Sequence, residues 1–156
     1  MTSAERIFAA LELLEPDRVP IMESVIDERV RRAIYPDTFE SGEFAVRIGL
    51  DAVTAGLEFN RRDETSNGHY DEWGVYYRNS PEALFHPVKG PVETMADLET
   101  WSPPDPDAPW RLGTLPDLIA RYKGEKAIVL HHRAAFMWSA YVTGLDNLLL
   151  SFAADP

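Results

Sequence analysis

Cysteine is absent from this sequence of 156 residues, and so is any long apolar run. Without cysteine the chain can form no disulfide and no thiolate metal site of its own. No apolar run approaches the roughly 20 residues that span a bilayer. The first residues also lack the basic and apolar regions of a secretory leader. The sequence therefore predicts a cytoplasmic protein with no membrane partner.

Basic residues are scarce as well. Lysine and arginine number 15 against 26 acidic residues, which gives a formal net charge of -11. Phosphate backbones favour clustered cations, and the one basic cluster, Arg29, Arg31 and Arg32, fits the solvated face of a helix. We therefore expect no nucleic-acid partner. With 45% hydrophobic residues, the length suits a single domain over residues 1–156.

Several stretches have the spacing of helices. Thr2 and Glu5 have the spacing of a capping box, and Ile7, Leu11 and Leu14 recur on one helical face. The other helices are predicted over residues 25–34, 43–48, 94–101, 115–122 and 136–152, the last with a break at Gly144.

Strands are predicted where apolar residues, several of them β-branched, run between turn signals. These segments are residues 19–23, 51–58 and 126–132. Their alternation with helices predicts a parallel α/β sheet in which the three strands are adjacent in that order. Residues 60–70 are polar and are predicted to form a loop, and the proline-rich residues 102–109 a surface connector.

Residues 71–91 combine a short strand, DEWGVYYR, a turn marked by Pro81, and a second extended piece, HPVKGP. On physical grounds this is a half-buried β-hairpin. The motif resembles the hairpin that the uroporphyrinogen decarboxylase superfamily inserts early in its barrel, particularly in the branch similar to cobamide-dependent methyltransferases. A helix followed by EPDRVP, at residues 15–20, is similar to the way many members begin.

The resemblance covers essentially the whole chain and implies a (β/α)8 TIM-type barrel. Such a barrel needs roughly 250 residues, so the chain corresponds to the amino-terminal half, with about three parallel strands and the hairpin. The family typically continues from the Asp155-Pro156 pair into a further helix. The implied activity of the parent enzyme is cobamide-dependent methyl transfer. The alternatives are a decarboxylase of the uroporphyrinogen type and a non-catalytic half-barrel subunit or small α/β binding module.

One difference from the decarboxylase bears on the choice between methyl transfer and decarboxylation. The decarboxylase carries an arginine-rich segment after its first strand, which neutralises substrate carboxylates. Here residues 22–27 read MESVID, which is acidic and would repel a tetracarboxylate. Methyl transfer is therefore the favoured activity.

In barrels the functional residues lie at the carboxyl ends of the strands. Those positions are Glu23, Glu58, His131 and His132. By the resemblance, Glu58 takes the place of the decarboxylase's essential carboxylate and is the first catalytic candidate. The alternative for Glu58 is a helix cap or a salt-bridge partner. Glu23, His131 and His132 are candidate substrate contacts.

A metal site in this chain is not expected. His131 and His132 are adjacent, and neighbouring strand residues point to opposite faces, so at most one can reach an interior ligand. The resemblance implies that zinc is held by residues of the second half, and that a corrinoid serves the full-length parent. We therefore expect no tight zinc and no turnover from this chain alone.

Tyr141 is the second catalytic candidate, and it rests on the resemblance. The segment AAFMWSAY, residues 134–141, resembles a decarboxylase segment whose tyrosine lies near the departing carboxylate. The alternative is a buried helical tyrosine with a hydrogen-bonded hydroxyl. The implied partners are a small-molecule substrate or a corrinoid protein. An open sheet edge would also favour self-association or a complementary half-barrel.

Overall fold

The chain divides into two compact units, each built from two separate stretches of sequence. The structure is a computed structural model and describes residues 1–37, 40–80 and 86–154. Unit 1 comprises Met1–Glu58 and Leu112–His132, and unit 2 comprises Phe59–Arg111 and Arg133–Pro156. Each unit has its own buried apolar core.

The described part of the chain is mixed α/β. Its helices are α1 (Ser3–Leu11), α2 (Glu28–Ile34), α3 (Ser41–Arg47), α4 (Met95–Thr100), α5 (Leu115–Tyr122), α6 (Ala135–Thr143) and α7 (Leu145–Ala154). Its strands are β1 (Ala52–Gly56), β2 (Arg61–Arg62), β3 (Gly68–Asp71), β4 (Tyr76–Arg78), β5 (His86–Lys89) and β6 (Ala127–His131). None of the described helices is both long and apolar enough to cross a membrane.

Unit 1 is built on a parallel pair of strands, β1 and β6. They run in register from Ala52 opposite Ala127 to Gly56 opposite His131. The parallel, adjacent pairing predicted for residues 51–58 and 126–132 is confirmed. A core that includes Val53 and Leu118 packs α3 and α5 against this sheet.

Residues 19–23 do not form a strand, although the sequence predicted one beside β1. The Asp51 N–H donates to the Ile21 carbonyl at 2.8 Å, but the Ile21 N–H donates to the Asp51 side chain at 2.9 Å. A ladder needs both bonds between backbones, and Pro20 has no N–H to contribute. The predicted three-stranded parallel sheet is therefore wrong, because the described residues of this sheet form two strands only.

The helix starts follow the predicted caps. The Thr2 hydroxyl accepts the Glu5 N–H at 3.1 Å, and the Glu5 carboxylate accepts the Thr2 N–H at 2.7 Å. Thr94 and Asp97 make the same reciprocal pair at the start of α4. The bounds of α5 coincide with those predicted.

The predicted apolar faces of α1 and α2 are only partly buried. Ile7 packs against the start of both parallel strands. Leu11 and Leu14 are exposed, because α1 ends at Leu11 and the chain turns away. Val30 and Ile34 on α2 are about half exposed.

Unit 2 contains a four-stranded antiparallel sheet in the order β2-β3-β4-β5. β4 and β5 form the predicted hairpin, with Arg78 opposite His86. Pro81, which the sequence marks as the turn, lies outside the described residues. On the buried side of this unit, Val75, Tyr77, Val92 and Val142 form the core.

Two details of this sheet differ from the prediction. Residues 60–70 are not simply a loop, because β2 and most of β3 lie within them. The side chains that β3 buries are His69 and Asp71, so its apolar content gives no signal of a strand. The predicted strand over residues 71–78 begins instead as a turn, closed by the Gly74 N–H on the Asp71 carbonyl at 3.0 Å.

The carboxyl-terminal part of unit 2 is a pair of helices, as the spacing predicted. α6 and α7 are separated by Gly144, whose φ of +86° lies in the left-handed region. The predicted break at this glycine is confirmed.

Candidate functional site

The carboxyl edge of the β1–β6 pair carries three of the five candidate residues. β6 ends at His131, whose neighbour on β1 is Gly56. A Cβ placed on Gly56 would lie 3.2 Å from Cε1 of the His131 imidazole. The imidazole therefore lies across the end of β1, in space that the glycine leaves open. His132 follows directly and is exposed.

Glu58 leaves the same edge two residues after β1 ends. Its side chain lies against Gly113, since a Cβ there would be 2.4 Å from Cγ of Glu58 and 3.2 Å from its Oε1. Gly113 has a φ of +49° and lies in the turn before α5. A side chain at position 113 would collide with Glu58, so this glycine leaves room for the Glu58 side chain, which is exposed.

Glu23 is held beside β1 through its backbone. The Thr54 hydroxyl donates to the carbonyls of Glu23 and Ser24 at 3.4 and 3.1 Å. The Glu23 residue itself is exposed. The arrangement fixes the segment after residue 22 alongside the strand. The cavity that we predict Glu58 to share with Glu23 or a histidine stays a prediction.

Tyr141 lies in unit 2, on α6, and is half-buried. The edges of the Tyr77 and Trp138 rings meet its ring at centroid distances of 6.4 and 5.8 Å. The Arg133 guanidinium lies 5.4 Å from the centre of the Tyr141 ring. A cation over a tyrosine face is favourable. These contacts fix the ring and favour a packing role.

Tyr141 also lines a cleft of about 520 Å³, which we call the β5–α6 cleft. Phe136 and Met137 line it on the α6 side, Lys89 at the end of β5, and Asp146 at the start of α7. Its volume is within the range of small-molecule sites. A sequence signal for this cleft is Gly90 of the HPVKGP motif. A Cβ on Gly90 would lie 2.0 Å from the Val142 carbonyl oxygen, so only glycine lets the backbone approach α6.

The DEWGV motif builds a buried polar centre that the sequence reasoning missed. Asp71 accepts the N–H groups of Trp73 and Val75 at 2.9 and 3.0 Å, and the Tyr77 hydroxyl at 3.0 Å. Burial raises the pKa of the Asp71 carboxyl, and the hydrogen bonds from Val75 and Tyr77 only partly oppose it. Burial, with the nearby Asp71 charge, also raises the pKa of the Tyr77 phenol. These groups hold the turn between β3 and β4.

The next two residues of the motif anchor the same turn. Arg111 donates to both carboxylate oxygens of Glu72 at 2.8 and 3.2 Å, and this hydrogen bonding lowers the pKa of Glu72. The Trp73 ring is stacked between those of Trp101 and Trp138, at centroid distances of 5.9 and 4.4 Å. The motif therefore works here as a packing device.

The EPDR segment joins a charge network in unit 1 whose centre, Arg6 and Asp51, is buried, while Asp17 and Arg18 are exposed. Arg6 donates to Asp51 at 2.5 Å and to Asp17 at 2.5 and 3.0 Å, and Arg18 donates to Asp51 at 2.8 Å. Burial alone would raise the pKa of Asp51, but hydrogen bonds from Ile21, Ser3 and Arg6 outweigh it and lower that pKa. The network fixes the chain between α1 and β1.

No three histidine, aspartate or glutamate side chains among the described residues lie together in a way that could hold a metal ion. The described residues therefore do not form a zinc site by themselves.

Comparisons with known proteins add nothing to this description of the site. No family model, curated protein or solved structure matches the chain.

Proposed function

We propose that this chain is the amino-terminal part of a (β/α)8 barrel enzyme of the uroporphyrinogen decarboxylase superfamily, and that the parent enzyme transfers methyl groups. The observation that supports it most is the β1–β6 pair. Its parallel register places His131 and the residues leading to Glu58 at the carboxyl ends of adjacent strands. That edge is where barrel enzymes keep their functional residues.

The roles of the chain's own residues follow from their chemistry. The Glu58 carboxylate, whose side chain lies against Gly113, orients a cationic or N–H-bearing group of the substrate, or accepts its proton. His131, across the end of β1, contacts the substrate from the neighbouring strand. Glu23 adds a negative charge beside β1, which favours a neutral or cationic substrate over a tetracarboxylate.

Zinc and a corrinoid belong to the proposal only through the rest of the parent enzyme. The corrinoid carries the methyl group when bound. The described residues do not form a zinc site, so we assign no step in this chain to either group.

The second candidate is a half-barrel subunit or small α/β binding module without turnover of its own. The exposed apolar side chains beside β1 favour it. Val19, Ile21 and Val25 are 79, 51 and 63% exposed. Apolar groups next to a two-stranded sheet are expected to be covered by further strands or by a partner.

The test uses the protein encoded by the complete reading frame. Methylcobalamin and a thiol acceptor are mixed with the enzyme, and loss of the methyl–cobalt absorbance is followed. Glu58→Gln keeps the shape and removes the charge, so the rate should fall at least about tenfold. Glu12→Gln, an exposed glutamate after α1, is the matched control and should keep the parental rate.

Three outcomes separate the alternatives. Parental activity in Glu58→Gln would remove this residue from the site. Release of carbon dioxide from uroporphyrinogen, without methyl transfer, would favour the decarboxylase. Absence of both activities would favour the half-barrel subunit or binding module.

A further inference from the structure

The outward face of the unit 2 sheet is basic and aromatic, in contrast to the acidic chain as a whole. We define this outward face by cross-strand pairing. One row is Arg62, Tyr70 and Tyr76, with Lys89 opposite Tyr76 beyond a register shift in the β4–β5 pairing, and the next row is Gly68, Arg78 and His86. On the opposite face, His69, Asp71 and Tyr77 are buried. Because side chains alternate between the two faces along β3 and β4, one set of them points to solvent.

Carboxylates are missing from the strand residues of this face. Within β2 to β5 the one acidic residue is Asp71, which is buried on the other side. Lys89 pairs with Glu93 at 2.8 Å, but both side chains are mostly exposed. An exposed pair of this kind contributes little, so an anionic ligand can compete for the lysine.

The two tyrosines form a platform on the same face. A Cβ on Gly68 would lie 2.6 Å from the Tyr76 hydroxyl oxygen and 2.8 Å from Cζ, so the Tyr76 ring lies over the glycine. The Tyr70 ring is next to it, with a centroid distance of 5.0 Å, and Tyr70 is 41% exposed. Sheets that recognise single-stranded nucleic acids stack bases on aromatic rings placed in this way.

We propose that the outward face binds a nucleotide, with its base against Tyr70 and Tyr76 and its phosphate near Arg78 and Lys89. The nucleotide is part of a single strand, because sheets with aromatic rings of this kind bind single strands by base stacking. The net charge of -11 led to the expectation of no nucleic-acid partner. Salt screens exposed charges beyond about 8 Å at physiological ionic strength, so the cations next to the ligand outweigh distant carboxylates. This inference does not rest on the proposed function.

The experiment measures binding of a fluorescein-labelled strand of about eight uridines, a length within the range that such folds contact. Fluorescence anisotropy at about 150 mM salt should give a Kd of roughly 10⁻⁴ to 10⁻⁶ M. Competition with UMP tests this choice of ligand. The strand should bind without being displaced by UMP, and displacement by UMP would mean that a free nucleotide is the ligand and would overturn the proposal. Absence of any binding overturns the proposal.

Variants locate the site. Tyr70→Leu should weaken binding at least about fivefold, because stacking of a base is lost. Tyr76→Leu should do the same, while Tyr76→Phe keeps the ring and the affinity. Arg78→Gln should lower the slope of log K against log salt by about one. Arg121→Gln, a change in unit 1, is the control for general charge.

Two results would refute the proposal. Equal weakening by Arg121→Gln and Arg78→Gln would mean that the outward face is not the site. Equal affinity for a peptide of about eight glutamates would mean that charge alone is recognised, and that the surface suits an acidic protein. Tyr70 and Arg78 are exposed, so these variants remain informative even if Tyr76→Leu fails to fold, which circular dichroism would reveal.

Discussion

Asp71 offers the sharpest test of the buried polar centre in unit 2. Asp71→Ala leaves the N–H groups of Trp73 and Val75 and the Tyr77 hydroxyl without their acceptor. Val75 is fully buried, and each buried polar group left unsatisfied costs about 1–3 kcal/mol. We therefore expect the free energy of unfolding to fall by about 3 kcal/mol or more.

Asp71→Asn is the matched variant. The amide oxygen can still accept both N–H groups, and the amide nitrogen can donate to the Tyr77 oxygen, which is able to accept. The expected cost is about 1 kcal/mol or less. A loss as large as that of Asp71→Ala would mean that the charge, and not the hydrogen-bond geometry, holds the turn.

The wild type and Asp71→Asn should also differ in how their free energy of unfolding depends on pH. Burial raises the pKa of Asp71 above its ordinary 3.8. The folded state therefore binds this proton more tightly than the unfolded state. The contribution of the carboxyl to stability is full below the unfolded pKa and is lost as pH rises through the folded pKa. Asp71→Asn should gain stability relative to the wild type as pH rises above the ordinary pKa of 3.8 and through the raised pKa of the folded state.

Urea unfolding followed by tryptophan fluorescence measures this difference. All four tryptophans, Trp73, Trp101, Trp110 and Trp138, belong to unit 2. The signal thus reports on the unit that contains Asp71, and groups common to both proteins cancel. A stability difference that is constant with pH, or that shifts in favour of the wild type as pH rises, would refute the reasoning.

Three further variants test other parts of the fold. Asp51→Asn should speed amide exchange at Ile21, whose N–H donates to Asp51. Because the pKa of Asp51 is lowered, its stabilisation is present above the ordinary pKa, so the effect should shrink as pH falls through the folded pKa. Gly90→Ala should lower the free energy of unfolding, measured in urea, by about 1–3 kcal/mol, because the new Cβ would collide with the Val142 carbonyl. A variant as stable as the wild type would contradict that contact. Thr94→Ala should lower the free energy of unfolding by about 1 kcal/mol, because α4 loses its N-terminal cap. Thr100→Ala is the control, and an equal loss in both variants would argue against the cap.

Local signals in the sequence predicted those parts of the fold that depend on neighbouring residues. The caps at Thr2 and Thr94, the bounds of α5 and the break at Gly144 all follow from short-range chemistry. The apolar run of β1 also predicted its parallel neighbour. Residues 19–23 could not be read in the same way, because a distant side chain, Asp51, takes the N–H that a strand would need.

Candidate site residues were harder to place than the strands that carry them. His131 and Glu58 lie at the same edge of the sheet because β1 and β6 are parallel, so their carboxyl ends are side by side. Tyr141 belongs to the other unit, and its neighbours on β4 and α6 were not readable from spacing. The Asp71 centre escaped prediction because a buried carboxylate in a polar stretch has no periodic signature.

The register of β1 and β6 has a consequence for the folding of the newly made chain. Ala52 pairs with Ala127, which is 75 positions further along. At about 5–20 residues per second of synthesis, β1 waits roughly 4–15 s for its partner. β2 to β5 are complete within that interval, because their partners are near in sequence. The antiparallel sheet can therefore form first on the ribosome. During this time β1 is an unpaired apolar strand, which chaperones can bind and which can aggregate.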